Sequence, residues 1–218
     1  RVTAGYFGQD GYVTRTFDGK QLGNSNRFAG RAALRLKPND SWTVDFGFDG
    51  TTARENGPAM SLIGINYGRT TDPATPPFAD ISNIIANVMA GGGMVPCATP
   101  LSPLNLSVAG CYDNRYVLGP DANAGTAPSY SNSDIWGASM VHAIELADDL
   151  DLKSITAYRE LTGTFARDGD GSPVTIAQFY DRIEQKQFSQ ELQLLGKSFD
   201  GKLDWILGGY YFKESGIN

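Results

Sequence analysis

Amphipathic segments in this chain are joined alternately by tight polar reversals and by long irregular connections, and that alternation restricts the possible folds more than any single residue does. The reversals at Lys37 to Ser41, Ala147 to Asp151 and Lys197 to Lys202 are short. Thr14 to Arg27, Arg54 to Asn132 and Ala166 to Gln185 are long, and each is followed by a short reversal. Adjacent antiparallel strands reverse direction, so every second connection emerges at the same end of a sheet. All the short turns therefore gather at one end and all the long loops at the other, which is the build of a transmembrane β-barrel.

Seven strands follow from period-two alternation: about Val2 to Val13, Phe28 to Lys37, Trp42 to Ala53, Ile135 to Leu146, Leu152 to Phe165, Gln187 to Gly196 and Leu203 to Lys213. The third is the clearest. Trp42, Val44, Phe46 and Phe48 share one face and Thr43, Asp45, Gly47 and Asp49 the other, because successive side chains on a strand point to opposite sides. Across the Pro38-Asn39-Asp40 turn, Ala32, Leu34 and Leu36 oppose Arg31, Arg35 and Lys37 in the same manner. If the apolar face meets lipid, Arg31, Arg35, Asp45, Asp49, Glu145 and Glu191 become charges on a hydrated lumen wall. The strand at 152 to 165 leaves its outward residues undefined. A soluble β-sandwich or lipocalin-like barrel would show similar alternation with the apolar side turned inward. Strand length favours the membrane: a dozen residues exceed the usual five or six and suffice to cross a bilayer at a tilt.

The 218 residues are 41% hydrophobic and 19% charged, with 26 glycines, too apolar for a disordered chain. No apolar run approaches the roughly 18 residues of a spanning helix, and the longest, Trp205 to Phe212, suits one strand. Thinly spread apolar residues remain compatible with lipid, since a barrel turns only alternate side chains outward. A net charge of -6 without a polybasic stretch argues against nucleic acid. The first residues, Arg-Val-Thr-Ala, read as though the chain opened inside a strand, so it is expected to be a segment of a longer protein.

The connection at 54–132 carries most of the prolines, both cysteines and a Gly91-Gly92-Gly93 run. A loop of that length is usually functional. Ile81, Ile84, Ile85, Val88 and Met89 recur at helical spacing and predict a short amphipathic helix. Cys97 and Cys111, with thirteen residues between them, read as a disulfide contributing about 3 kcal/mol in the chain-entropy model, which suits an oxidising compartment. Two buried free thiols are the alternative. Arg69, Tyr112, Arg115, Tyr116 and Tyr130 are the candidate ligand contacts, because aromatics and charges on loops carry recognition more often than those on strands.

No catalytic residue, cofactor or metal site is expected. His142 is the sole histidine and sits mid-strand among apolar neighbours, which suits a structural or lipid-facing role. Gly196-Lys197-Ser198 mimics the tail of a phosphate loop, but Glu191 stands where the first glycine belongs. Asp168-Gly-Asp-Gly-Ser-Pro has the opening of a calcium loop without its closing glutamate and reads as a Gly/Asp turn.

Several stretches resemble a known family. Asp10-Gly-Tyr-Val-Thr-Arg, then Gly19 and Leu22-Gly23, then Phe28-Ala-Gly-Arg-Ala-Ala-Leu-Arg-Leu-Lys-Pro-Asn-Asp-Ser-Trp-Thr-Val-Asp are similar to the early barrel strands of TonB-dependent outer-membrane receptors. Lys153-Ser-Ile-Thr-Ala-Tyr-Arg, Phe188-Ser-Gln-Glu-Leu-Gln-Leu and Leu203-Asp-Trp-Ile-Leu-Gly-Gly-Tyr-Tyr-Phe-Lys-Glu resemble later strands of the same barrels. The resemblance implies an all-β, antiparallel fold, with residues 1–218 supplying about seven consecutive strands of a 22-stranded barrel in the outer membrane of a Gram-negative bacterium. It further implies an N-terminal plug outside this segment, contact with the TonB complex through that plug, and import of a bulky nutrient such as a siderophore-type iron complex. A passive pore, an adhesion barrel and a soluble carbohydrate-binding β-sandwich are the alternative readings.

Overall fold

A computed structural model describes residues 1–65 and 112–218. Seven long strands form one antiparallel sheet in sequential order: β1 (Val2–Gln9), β4 (Ser25–Asn39), β5 (Trp42–Glu55), β7 (Tyr130–Ala147), β8 (Leu150–Asp168), β9 (Gln178–Ser198) and β10 (Leu203–Ile217). The sheet is open, with β1 and β10 at its two edges. A second, three-stranded sheet, ordered β3-β2-β6, is built from loop segments: β2 (Val13–Arg15), β3 (Gln21–Leu22) and β6 (Ala122–Asn123).

All seven expected long strands are present, and most of their boundaries move outward. β9 starts at Gln178 because its ladder with β8 runs unbroken from Gly196 to Gln178, where it meets Asp168. Asp181, Arg182, Glu184 and Gln185 are polar on both faces, so this stretch carries no alternation signal although its backbone is fully paired. The connection between β8 and β9 shortens accordingly, and the strands on either side of the 54–132 loop reach inward to Glu55 and Tyr130. β1 is shorter than expected. It ends at Gln9, and Val13 belongs instead to the small sheet.

The reversals are as tight as the sequence indicates. Asn39 accepts a hydrogen bond from the Ser41 amide through its own side-chain oxygen, at 3.1 Å, closing the β4-β5 turn beside a register shift at Leu36 to Asn39. The β9-β10 turn places Phe199, Asp200 and Gly201 in succession at positive φ, 57°, 53° and 76°. Glycine tolerates that conformation freely, whereas phenylalanine does not.

Both faces of the large sheet are open. Among the described residues its buried apolar side chains are Val44, Ala53 and Ala166. Phe46 is 39% exposed, Phe48 51% and Leu34 55%. Val44 is covered by its neighbours in the sheet: it lies between Leu36 and His142 in register, beside the Trp42-His142 ring stack.

Candidate functional site

Register assigns the faces, since directly opposed residues in an antiparallel pair project to the same side. Thr3, Arg31, Asp49, Gly137, Arg159, Gln187 and Glu214 form one row across all seven long strands. A parallel row contains Arg35, Asp45, Val141, Ile155, Glu191 and Tyr210. Glu145 pairs with Asp151 on the same side. The six charges expected on a lumen wall therefore share one face.

Charge pairing on this face is mostly across strands. Arg35 clamps Asp45 with two hydrogen bonds, 2.6 and 2.8 Å. Arg159 reaches over β7 to both oxygens of Asp49, each at 2.9 Å, although the residue opposite Asp49 on β4 is Arg31. Gly137 allows this. A Cβ at that position would lie 3.0 Å from an Arg159 guanidinium nitrogen, so the missing side chain is the space through which the guanidinium passes. Arg159 escaped sequence reading because its strand, β8, has apolar and polar residues on both sides.

The opposite face carries Leu36, Val44 and His142 in one row, Leu34, Phe46 and Met140 in the next, and Ala32, Phe48, Ala138, Tyr158 and Phe188 in the third. Trp42 and His142 mark its short-turn end; Trp42 Nε1 donates to His142 Nδ1 at 3.2 Å. Tyr210 and Phe212 do not belong to this face. They stack on the polar one at mid-height, with ring centroids 6.4 Å apart, and the aromatics near the loop end of the apolar face are Tyr6, Phe28 and Trp136. The outward residues of β8, undefined in sequence, include Leu152, Ser154, Thr156, Tyr158 and Glu160. Gln190 binds two of them, accepting from Thr156 at 2.5 Å and donating to Ser154 at 3.0 Å.

The described parts of the long connections form one body with its own small core, to which Val13, Leu22, Ala124, Ala127 and Val174 contribute. β2 runs parallel to β6, tying the β1-β4 connection to the β5-β7 connection. Arg15, 4% exposed, donates to the Ala127 carbonyl at 2.6 Å and to Asp18 at 2.8 Å. That hydrogen bond holds the Asp18 carboxyl down at about 2 and raises the Arg15 guanidinium in turn. Asn123 bridges the Met60 carbonyl and the Gly125 amide at 2.9 and 2.7 Å.

Asp168, where β8 ends, accepts from the amides of Ala127 and Gly171 at 3.0 and 2.9 Å. Burial outweighs these bonds and raises its pKa. Asp170 accepts from Ser172 and from the Ile176 and Ala177 amides. The Asp168-Gly-Asp-Gly-Ser stretch is thus a turn whose carboxylates are engaged by backbone N–H groups, as the Gly/Asp reading expects. Gly57, at φ 89°, sits against the Ser129 hydroxyl so closely that a Cβ would come within 2.3 Å of it.

The candidate ligand contacts have intramolecular roles here. Tyr112 donates to the Asp170 carbonyl at 3.3 Å. Arg115 donates to Asp113 at 2.8 Å and lies 5.7 Å from the Tyr116 ring centroid, while Tyr130 opens β7 opposite Ala166. Arg69, Cys97 with Cys111, and the helical stripe at Ile81 to Met89 lie outside the described residues.

No protein-family model matches this sequence, and no curated protein does. In structure the chain is similar to the ferric yersiniabactin uptake receptor FyuA of Yersinia pestis, with a TM-score of 0.56 and 17% sequence identity. The match covers 99% of this chain and 26% of that one, so the chain spans about a quarter of the receptor's length. The shared feature is the fold, an antiparallel sheet of consecutive strands.

Proposed function

We propose that these strands are part of the wall of a TonB-dependent receptor in the outer membrane of a Gram-negative bacterium, a barrel that imports a bulky nutrient such as a ferric siderophore. The observation that carries the reading is the two-faced open sheet. One side presents Arg31, Asp49, Arg159 and their neighbours, and the other exposes Leu34, Phe46, Phe48 and Trp136. A contiguous exposed apolar face of this extent needs an apolar medium, and sequential antiparallel strands with open edges are completed by closing into a barrel. The structural likeness to a ferric siderophore uptake receptor is one of fold and supports the receptor-like barrel.

On this reading the short turns are periplasmic and the packed loop body is extracellular, over the lumen mouth. The loops capture the ligand and the strands supply a rigid frame. A plug domain outside this segment couples ligand entry to TonB. The test is uptake of labelled ferric siderophores by cells carrying the full-length protein, with and without TonB. TonB-dependent accumulation is the expected result. Recovery of the protein in the aqueous fraction without detergent would overturn the reading and favour a soluble sandwich.

A further inference from the structure

Where β1 ends and β4 begins, at the loop end of the sheet, the chain surrounds a cavity of about 460 Å³. Tyr6, Gln9 and Asp10 line it from the β1 side, Asn24 and Asn26 from the β4 side, and Asn56 from just past the end of β5. Its volume falls within the roughly 300 to 1,000 Å³ of small-molecule sites, but its chemistry differs from the usual apolar lining. Among the described residues no arginine, lysine or aliphatic side chain lines it.

Two of the amides are oriented by backbone partners. Asn24 Oδ1 accepts from the Asn56 N–H at 2.7 Å, and Asn56 Nδ2 donates to the Gln21 carbonyl at 2.9 Å. Asn24 therefore keeps its NH2 group as a donor and Asn56 its side-chain oxygen as an acceptor. The side chains of Gln9, Asp10 and Asn26 and the Tyr6 hydroxyl make no hydrogen bond or ion pair among the described residues. Two glycines shape the walls. A Cβ at Gly8 would lie 2.8 Å from the Tyr6 ring, so the phenol folds over bare backbone there while Tyr6 stays 69% exposed. A Cβ at Gly11 would meet the Gln21 carbonyl oxygen at 2.5 Å, so the absent side chain lets the end of β1 pass close to β3.

From this lining we infer that the cavity binds a neutral carbohydrate, the end of an oligosaccharide chain. Sugar hydroxyls both donate and accept, so they pair at once with amide NH2 groups, amide oxygens and a carboxylate. The C–H face of a pyranose ring packs on an exposed aromatic ring, which Tyr6 supplies. Other classes of ligand fit poorly. An anion would meet the Asp10 carboxylate with no cation in the lining to offset it. An apolar ligand would strip water from these polar groups without replacing its hydrogen bonds. A calcium ion takes roughly six to eight oxygens, several of them carboxylates, and Asp10 is the one carboxylate of the lining. The inference goes beyond the membrane reading and does not rest on it.

The experiment applies the fluorescently labelled full-length protein, held in lauryldimethylamine oxide so that no detergent sugar competes, to an array of immobilised neutral and acidic oligosaccharides. Neutral glycans are expected to retain it and acidic ones not. The best-retained neutral glycan is then titrated by saturation-transfer NMR against Asp10→Ala, Asn26→Ala and Tyr6→Ala, whose side chains have no hydrogen-bonding partner in the described fold. Asp10→Ala is expected to weaken binding about tenfold or more, the effect of a hydrogen bond to a charged group, and Asn26→Ala about fivefold, that of a neutral one. Tyr6→Ala is expected to weaken it about three- to tenfold, the effect of an aromatic contact. Retention by no neutral glycan, retention by acidic glycans alone, or an affinity that all three variants keep overturns the inference and leaves the barrel reading intact.

Discussion

Replacing Phe46 by arginine tests the face assignment most directly. Phe46 stands four residues from Trp42, which lies next to a short turn, so it is about 13 Å along the strand at roughly 3.3 Å per residue. At a tilt of about 40° this corresponds to a depth of about 10 Å, close to the middle of an apolar band about 25 Å tall. An arginine there is expected to cost about 2 to 4 kcal/mol. The control is Asp45→Asn, one residue away on the opposite face. It loses an ion pair whose partners are 65% and 39% exposed, and exposed pairs contribute little. The assay is urea unfolding of the full-length protein in vesicles, followed by tryptophan fluorescence and by the heat-dependent gel shift that the proposed barrel would show. In a soluble fold with Phe46 already 39% exposed, the arginine would extend into water at small cost. Equal stability losses for the two variants would refute the reasoning.

Three further outcomes follow from the loops and turns. Asp168→Ala leaves buried amides of Ala127 and Gly171 without an acceptor, at about 1 to 3 kcal/mol each, and should raise hydrogen exchange in 124–129 and 168–177 with no change in the long strands. Asp18 has a folded pKa of about 2, below its ordinary 3.8, so its contribution is fully present above about pH 4 and is lost as the pH falls through 2. Amide exchange in 13–22 should quicken over that window in the wild type and show no such step in Asp18→Asn. Phe199→Gly relieves the positive φ of a bulky residue and should raise the unfolding midpoint by an amount equivalent to about 1 kcal/mol, measured by the same urea titration.

The long strands were legible in sequence wherever one side alternates cleanly. Trp42 to Asp49 against Ala32 to Lys37 gave faces, partners and turn together, and the structure pairs Leu34 with Phe46 and Arg35 with Asp45 accordingly. β8 and the start of β9 were not legible in this way, because Ile155 and Arg159 share one face while Leu152, Thr156 and Glu160 share the other. There the order comes from the backbone ladder, whose hydrogen bonds are indifferent to side chains. The charges of the polar face were found from alternation, and Arg35 with Asp45 follows from the hairpin, but the pairing of Asp49 did not. Arg159 takes Asp49 in place of Arg31 because Gly137 opens the space between them.

Sequence alone determined the antiparallel all-β class, the seven long strands, the end at which the loops gather and the face on which the charges lie. All of these depend on local periodicity and turn chemistry, which adjacent residues carry. Tertiary structure decided the three short strands β2, β3 and β6 and the buried Arg15, Asn123 and Asp168. The β2-β3 pairing is local, but the contacts that join these pieces into one body, Thr14 with Ala122, Arg15 with Ala127, Asn123 with Met60 and Asp168 with Ala127, link residues dozens of positions apart, so their energy exists only after the long strands have brought the loops to one end.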